Sequence, residues 1–229
     1  AFCEASGADV REVARAIGTD SRIGPKFLNA GPGFGGSCFQ KDILNLVYLC
    51  RHFGLPEVAE YWESVVTLNT WQQHRISRLV VQKLFGTVTG KRLAVLGFAF
   101  KADTNDTREA PAIRICRDLL EEGAQLAIHD PKVAAQQMVR DLQQEAAPKA
   151  DSLSGTGSWL QAGSVEEAVT GADAVLVLTE WQQYRVLNWM DLAGRMRKPA
   201  WVFDASAVAD PEGVRDAGLT LWRVGDREG

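Results

Sequence analysis

The sequence has few cysteines, no long apolar run and no excess of basic residues. Its 4 cysteines lie far apart and form no Cys-x-x-Cys pair, which argues against a disulfide scaffold and a zinc site. The longest strongly apolar stretch, residues 93–100, is far shorter than the roughly 18 residues that suggest a membrane span. The 25 Lys and Arg against 29 Asp and Glu give a net charge of −4, whereas nucleic-acid binders normally carry a basic excess. We therefore expect no metal site, no nucleic-acid partner and no membrane span.

The chain also lacks a charged-then-apolar signal segment at its start, so a reducing cytoplasm is the expected compartment. The sequence begins with Ala1-Phe2-Cys3 rather than with Met, in what resembles the middle of a secondary-structure element. We therefore expect the sequence to be a fragment of a longer protein. The 46% of apolar and 24% of charged residues are typical of globular domains. With 229 residues and about 150 residues per domain, one large domain or two small ones are expected.

The first part of the sequence has a helical pattern. Asp9 and Glu12 have the spacing of a capping box, and apolar residues follow at helical intervals until Gly18. A second helix is predicted from residue 39 to about residue 53. A third, over residues 56–85, would span on the order of 45 Å at 1.5 Å per residue. Such a helix is typical of a connection between domains or a subunit interface, and a core helix within one domain is the alternative.

After residue 90 the pattern changes to strands that alternate with helices. The predicted strands cover residues 93–98, 125–129, 174–178, 201–203 and 219–222, and the predicted helices cover residues 111–122 and 134–143. Continuous apolar runs are typical of buried parallel strands, and the alternation favours a doubly wound α/β domain. We predict a helical domain over residues 1–86 with the long connecting helix, a hinge over 86–90, and an α/β domain over 91–229. Residues 145–158 are predicted to form a mobile surface loop.

The glycine-rich segment from Gly33 to Asp42 carries the strongest chemical signal. Glycines let the backbone approach a ligand closely, and a helix that starts after them favours phosphate or a developing oxyanion. Cys38 lies at that predicted helix start, and Lys41 and Asp42 follow on the same face. A thiol beside an ammonium and a carboxylate can act as a nucleophile with a charge stabiliser and a proton acceptor. Taken singly, each residue has a structural alternative: a packed Cys, a solvated Lys, and an Asp that favours the helix dipole.

The segment resembles the signature of the nucleotide-sugar dehydrogenases, the UDP-glucose/GDP-mannose dehydrogenase family. The similarity continues through residues 22–24, 26–28, 44–49, 97–101, 106–109, 130–133 and 179–181. It covers nearly the whole chain and weakens after Gln143 and towards the C-terminal end. The resemblance implies a helical central domain with a dimerisation role, followed by a Rossmann-like UDP-binding domain. The N-terminal NAD-binding Rossmann domain of the family is missing, because no Gly-x-Gly-x-x-Gly follows a strand here.

The resemblance also implies an activity, the two-step oxidation of the C6 alcohol of a UDP-sugar to a carboxylate with NAD as cofactor. The family cysteine that matches Cys38 adds to the C6 aldehyde, the thiohemiacetal loses a second hydride, and water hydrolyses the thioester. Asp42 matches the carboxylate that handles the proton or the hydrolytic water, and Lys41 and Arg108 match positions near the cofactor. NAD is expected to bind mainly to the missing half, so this chain alone is expected to be inactive.

Substrate contacts are implied in the same way. Arg22 matches an arginine that reaches the substrate of the neighbouring subunit, which implies a homodimer or a higher homo-oligomer. Phe100 and Lys101 follow the first strand of the α/β domain, where open parallel sheets bind ligands. The other implied positions wrap the UDP-sugar and are Phe27, Asn29, Ala30, Gly31, Pro32, Gly33, Phe34 and Gly35.

One departure from the family pattern concerns the nucleotide. The family usually carries an Arg after Asp-Gly late in the UDP-binding domain, where this sequence reads Phe203-Asp204-Ala205-Ser206-Ala207. Losing one charge-assisted contact costs about 1.5–3 kcal/mol if nothing compensates. Three functions stay open. The first is oxidation of UDP-glucose, which the sequence of residues 39–42 favours. The second is oxidation of GDP-mannose or a UDP-N-acetylhexosamine. The third is a non-catalytic role in nucleotide-sugar binding or assembly.

Overall fold

A computed structural model describes residues 1–147 and 157–226 of the chain. The helices within these ranges are α1 (Phe2–Ser6), α2 (Val10–Gly18), α3 (Phe39–His52), α4 (Pro56–Lys83), α5 (Pro111–Glu121), α6 (Ala135–Leu142), α7 (Val165–Val169), α8 (Gln182–Arg185), α9 (Trp189–Ala193) and α10 (Pro211–Asp216). The strands are β1 (Arg92–Leu96), β2 (Gln125–His129), β3 (Ser158–Gln161), β4 (Ala174–Val177), β5 (Trp201–Asp204) and β6 (Thr220–Arg223). The predicted division into a helical first part and an alternating second part is therefore confirmed, and the structure adds β3 and several short helices that were not predicted.

The described strands form one sheet in the order β3-β2-β1-β4-β5-β6. Every neighbouring pair is parallel, and Leu96 at the end of β1 is paired with Val177 at the end of β4. The direction of winding reverses between β1 and β4, and doubly wound folds bind ligands beyond the carboxyl ends of strands at such a point. All four residues of β4 are buried, as expected for parallel strands covered on both faces. The predicted doubly wound α/β fold is confirmed.

The sequence pattern does not predict the edge strand β3. Residues 148–156 of the predicted mobile loop lie outside the described residues, and the prediction is wrong at Ser158, which begins β3. Trp159 in this strand is fully buried, and its indole Nε1 donates to the carbonyl of Gln144 at 3.0 Å. The N–H of Ala147 donates to the carbonyl of Trp159 at 2.6 Å. A four-residue strand with two apolar residues is too short to stand out from a polar, Ala- and Ser-rich surrounding.

The long helix α4 belongs to two cores. Its first half packs with α3 around a small cluster of buried residues: Ile43, Val47, Cys50 and Ala59. Its second half contributes Ile76 and Val80 to the main core against the sheet, and Leu84, just after the helix, lies in the same core. Val88, within the predicted hinge, is fully buried in the same main core. The predicted division into domains near residues 86–91 stays a prediction, and so does the role of the 28-residue α4 as a connection between them.

Two features concern membrane helices and metal-ligating side chains. Across residues 1–147 and 157–226, no helix combines the length and the apolar character that crossing a membrane requires. Over the same residues, no group of three or more His, Cys, Asp and Glu side chains is arranged to hold a metal ion.

Candidate active site

The glycine-rich loop lies directly on the segments that follow β1. The N–H of Gly36 donates to the carbonyl of Arg108 at 2.8 Å. A Cβ at Gly35 would lie 2.5 Å from the carbonyl oxygen of Glu109 and 3.0 Å from the Cβ of Phe100. Gly36 has a φ of +88°, and a Cβ there would meet the Phe100 ring at 3.0 Å. Only glycine fits these two positions, because the loop backbone is in contact with Phe100 and Glu109.

Polar side chains of α4 hold the other side of the loop. Asn69 Oδ1 accepts a hydrogen bond from the N–H of Phe34 at 2.8 Å, and Asn69 Nδ2 donates to the carbonyl of Phe34 at 3.0 Å. Gln72 Nε2 donates to the carbonyl of Gly31 at 3.0 Å. Sequence reasoning missed Asn69 and Gln72, because a polar residue in a long amphipathic helix gives no signal of which loop it faces.

Cys38 occupies the N-cap position of α3, as predicted. Its side chain is exposed, and its sulfur lies 3.6 Å from the hydroxyl oxygen of Ser37. Lys41 Nζ lies 3.7 Å from Asp42 Oδ1, and the two side chains are 74% and 69% exposed. The thiol is therefore accessible rather than packed into the core, which a nucleophile needs. Lys41 and Asp42 form an ion pair with each other in the first turn of the same helix.

Arg108 lies close to the loop that carries Cys38. Asp106 accepts hydrogen bonds from Arg108 Nε at 3.0 Å and from Nη2 at 2.7 Å. These bonds and the charge of Asp106 raise the pKa of Arg108. Lys101 Nζ lies 5.3 Å from the centre of the Phe100 ring. The structure thus brings Cys38, Phe100 and Arg108 into one neighbourhood.

A cavity of about 700 Å³ opens beside the glycine-rich loop. Its volume lies within the roughly 300–1,000 Å³ that is common for small-molecule sites. Its lining includes many of the predicted substrate-binding residues, namely Phe27, Asn29, Ala30, Gly31, Pro32, Gly33 and Phe100. The other walls come from α2, from Leu178 and Glu180 after β4, and from the turn after β5. The cavity therefore lies beyond the carboxyl ends of the strands, where the topology predicts a ligand.

Among the residues that the structure describes, eight predicted site residues do not line this cavity. They are Arg22, Phe34, Gly35, Cys38, Lys41, Asp42, Lys101 and Arg108. Phe34 and Gly35 continue the lining loop, and Gly36 links Cys38 to Phe100. Arg22 forms an ion pair with Asp20 at 2.6 Å, and its side chain is 87% exposed. The catalytic, cofactor and intersubunit roles of these residues stay predictions.

The cavity wall also contains three arginines that sequence reasoning did not single out: Arg11, Arg15 and Arg185. Arg11 Nη2 lies 2.7 Å from Asp9 and 3.2 Å from Asp226. The hydrogen bond from Arg11 lowers the pKa of Asp9 to about 2. The apolar periodicity of α2 predicts a helix, but which polar residues face a cavity depends on how the helix packs against distant segments.

The turn after β5 presents small side chains to the cavity. Ser206 and Ala207 line it, in agreement with the missing family arginine. Asp204 is buried beneath the turn, where burial raises its pKa, and it accepts hydrogen bonds from the N–H groups of Ser206 at 3.2 Å and Ala209 at 2.8 Å. Arg223 Nη2 donates to the carbonyl of Ala207 at 2.8 Å. Arg223 Nε also lies 3.6 Å from Asp204 Oδ2, so this arginine is used to hold the turn.

The turn after β1 is where a Rossmann domain would bind the pyrophosphate of a dinucleotide. The N–H groups of Phe98 and Ala99 both donate to Asp130 Oδ2, at 2.7 Å and 3.0 Å. The indole Nε1 of Trp181 donates to the same oxygen at 3.2 Å. Because a carboxylate of this chain already uses these donors, and Gly97 is the single glycine of the turn, the residues present do not fit NAD at this place.

Two sequence profiles of one family match the chain. Residues 1–71 match the central domain of the UDP-glucose/GDP-mannose dehydrogenase family. Residues 94–211, more than half of the chain, match the UDP binding domain of the same family. The chain therefore belongs to the UDP-glucose/GDP-mannose dehydrogenase family.

Several relatives in this family are named UDP-glucose 6-dehydrogenase or UDP-glucose dehydrogenase. UDP-glucose 6-dehydrogenase 5 of Oryza sativa subsp. japonica is 49% identical over 232 residues, which are 98% of this chain and 48% of the rice protein. UDP-glucose 6-dehydrogenase 1 of Arabidopsis thaliana is 47% identical over 233 residues, with the same shares. The structure of a UDP-glucose dehydrogenase from the archaeon Pyrobaculum islandicum matches with a TM-score of 0.76 at 28% identity, over 98% of this chain and 45% of that one. The chain thus spans about half the length of these relatives.

Proposed function

We propose that this chain binds the UDP-sugar and supplies the catalytic thiol of a UDP-glucose 6-dehydrogenase. One spatial relationship supports the proposal. Phe100 lines the 700 Å³ cavity, and its ring contacts Gly36, two residues before the exposed Cys38. A sugar held in the cavity would thus lie close to the loop that carries the thiol. The names of the relatives support UDP-glucose as the sugar nucleotide.

In the proposed reaction, the C6 alcohol of UDP-glucose is oxidised to the carboxylate of UDP-glucuronate. The Cys38 sulfur forms a bond to C6 of the aldehyde, the aldehyde oxygen takes up a proton, and a thiohemiacetal results. A second oxidation at C6 gives a thioester, and water releases the carboxylate and the thiol. Asp42 accepts or returns the proton in these steps. Covalent capture keeps the aldehyde from escaping between the two oxidations.

The two oxidations need a hydride acceptor. We assign this role, from the family resemblance, to NAD bound mainly by the N-terminal Rossmann domain of the family, which the 229 residues do not include. Lys41 and Arg108 are the cations of this chain that we place beside it, and both side chains are more than half exposed. The positive end of α3 and Arg108 favour the negative charge that develops at the C6 oxygen.

We also propose that the protein forms a homodimer or a higher homo-oligomer in the cytoplasm. Large apolar side chains on α3 and α4 are exposed, among them Tyr48 (66%), Tyr61 (67%) and Leu68 (63%), and such surfaces commonly mark interfaces. The exposed Arg22 supports a contact with a neighbouring subunit. All four cysteines are free, which supports a reducing compartment.

Titration calorimetry of this chain with UDP-glucose, GDP-mannose and a UDP-N-acetylhexosamine tests the substrate. We expect UDP-glucose to bind most tightly. We also expect no NADH from UDP-glucose and NAD with this chain alone. Preferential binding of another nucleotide sugar would transfer the proposal to that substrate, and the absence of nucleotide-sugar binding would overturn it.

Ser206 in place of the family arginine favours a second candidate, a non-catalytic nucleotide-sugar-binding module. Turnover assays on protein that includes the NAD-binding half separate the two candidates. The dehydrogenase is expected to form NADH, and its Cys38→Ser variant is expected to bind UDP-glucose and lose turnover. Binding without turnover in the unsubstituted protein would favour the module, and full turnover in Cys38→Ser would exclude the thioester mechanism.

A further inference from the structure

The cavity wall carries unpaired positive charge on α2 and α8. Arg15 enters the wall from α2 and Arg185 from the end of α8. Within the described residues, neither side chain has a hydrogen-bond or ion-pair partner. The turn after β5, where the family carries its arginine, contributes only Ser206 and Ala207 to the wall. In this chain, the turn after β5 thus contributes no cation to the cavity lining, whereas α2 and α8 each contribute an arginine.

The other charged groups near the cavity are already engaged. Arg11 forms ion pairs with Asp9 and Asp226, and Arg223 donates to a backbone carbonyl of the turn after β5. Glu180, the acidic member of the described lining, accepts a hydrogen bond from the N–H of Ala102 at 3.5 Å. The cavity thus retains an excess of positive charge that attracts an anionic ligand.

An unsatisfied hydroxyl lies at the same cavity. Ser206 Oγ is buried and has no hydrogen-bond partner among the described residues. A buried polar atom without a partner in the protein is normally satisfied by a ligand or a water molecule. Ser206 lines the cavity at the position of the family arginine, so a change of its side-chain rotamer would bring the hydroxyl to a polar group of the ligand.

We propose that Arg15 and Arg185 bind the diphosphate of the nucleotide sugar and replace the arginine that the family carries at the position of Ser206. The proposal rests on the proposed function of the cavity. A guanidinium presents paired N–H groups that match phosphate oxygens, and the Ser206 hydroxyl donates to a further oxygen. Phosphate recognition is thus shifted to α2 and α8, and the missing arginine does not abolish substrate binding.

Titration calorimetry with UDP-glucose, UDP and uridine tests this assignment on the 229-residue chain. Arg15→Ala and Arg185→Ala are each expected to weaken the binding of UDP-glucose and UDP about ten-fold or more, the loss of one charge-assisted contact. The affinity for uridine is expected to stay unchanged, because it has no phosphate. Arg195→Ala is the matched control. Arg195 follows α9, pairs with Asp191 in that helix, and lies outside the cavity lining.

The substitution Ser206→Arg in the Arg15→Ala chain provides a test of replacement. It is expected to recover part of the lost affinity for UDP-glucose, and no recovery contradicts the replacement. Unchanged affinity in Arg15→Ala and Arg185→Ala overturns the inference and leaves UDP-glucose binding intact. An equal loss for uridine also overturns it, because the arginines would then act on the nucleoside or on the cavity shape. If the unsubstituted chain binds none of the ligands, this inference fails together with the proposed function.

Discussion

Asn69 on α4 pairs with the backbone of Phe34 through both ends of its amide. Its Oδ1 accepts from the N–H of Phe34 at 2.8 Å, and its Nδ2 donates to the Phe34 carbonyl at 3.0 Å. Asn69 is 7% exposed, and buried polar groups are costly unless they are paired. This one contact therefore ties the loop beside the cavity to the long helix, which is itself anchored in the core of the sheet.

Asn69→Ala is expected to destabilise the chain by about 1–3 kcal/mol, because the backbone groups of Phe34 lose their partners. The affinity for UDP-glucose is expected to fall as well, since the loop lines the cavity. Urea unfolding and titration calorimetry measure the two effects. Asn45→Ala on the exposed surface of α3 is the control and is expected to change neither. Equal stability of the two variants would contradict the role of Asn69.

The close contact of Gly35 with Glu109 gives a second prediction. A Cβ at Gly35 would lie 2.5 Å from the Glu109 carbonyl oxygen, whereas a Cβ at Gly31 would have no heavy atom within 4 Å. Gly35→Ala is expected to lower the free energy of unfolding by about 1–3 kcal/mol, as overpacking does. Gly31→Ala, in the same loop, is expected to have little effect. Thermal unfolding compares the two, and similar midpoints would mean that the loop does not lie on Glu109 in solution.

Much of the fold follows from local sequence patterns. β1 and β4 are short continuous apolar runs, so burial on both faces of a parallel sheet could be predicted for them. The helices α3 and α4 could be predicted from periodicity and from Pro56 at the first turn. β3 could not, because Trp159 and Leu160 are its sole apolar residues and its strand conformation depends on pairing with β2.

The site could be predicted only where a local motif marked it. The glycines and Cys38 are contiguous in sequence, and the family resemblance assigned the loop around them. Arg15 and Arg185 are separated by 170 positions in the sequence. No sequence pattern predicts that both line the same cavity. The same holds for Asn69 and Phe34, which only the packing of α4 brings together.

The exposure of the cysteines predicts an order of chemical labelling. Cys38 is exposed, Cys3 is intermediate, and Cys50 and Cys116 are buried. Burial also raises the pKa of the Cys116 thiol. Iodoacetamide is therefore expected to modify Cys38 first in the native chain, and Cys50 and Cys116 only after unfolding. Peptide mass spectrometry measures the order, and the Cys38→Ser variant is expected to lose the fastest modification.

A ligand test follows from the same cysteines. Saturating UDP-glucose is expected to slow the modification of Cys38, because the sugar would lie beside its loop. Cys3 provides the internal control, since it is expected to react at an unchanged rate. Early modification of Cys50 or Cys116 in the native chain would contradict the described burial.

The exposed apolar residues of α4 predict self-association. Leu68 is 63% exposed on α4, and Met190 is 62% exposed on α9. If α4 lies at a subunit interface, Leu68→Glu is expected to weaken self-association about ten-fold or more, because burying a Leu side chain contributes about 1.5–3 kcal/mol. Met190→Glu is expected to have no such effect. Light scattering over a concentration series measures both, and a strict monomer for the unsubstituted chain would contradict the interface.

The last prediction concerns the dependence of stability on pH through His129 and Tyr184. The hydroxyl of Tyr184 donates to the His129 carbonyl at 3.0 Å and lies 2.9 Å from His129 Nδ1. Because the hydroxyl has one hydrogen, Nδ1 is the donor in the second contact. Burial lowers the pKa of His129 below its ordinary 6.5, against the opposing effect of the Asp130 and Glu166 charges. The native state therefore binds a proton more weakly at this residue than the unfolded state does.

Neutral His129 therefore contributes its full stabilisation above pH 6.5, the ordinary pKa of histidine. This contribution is lost as the pH falls from there through the lowered pKa of the native state. Urea unfolding between about pH 8 and about pH 5 measures this loss. His129→Gln is expected to lower stability by about 1–2 kcal/mol at the upper pH and to flatten the decline. His52→Gln, at an exposed position of α3, is expected to keep it. Glutamine does not titrate. If the stability of His129→Gln fell as steeply with pH as that of the unsubstituted chain, the acid sensitivity would therefore belong to other groups.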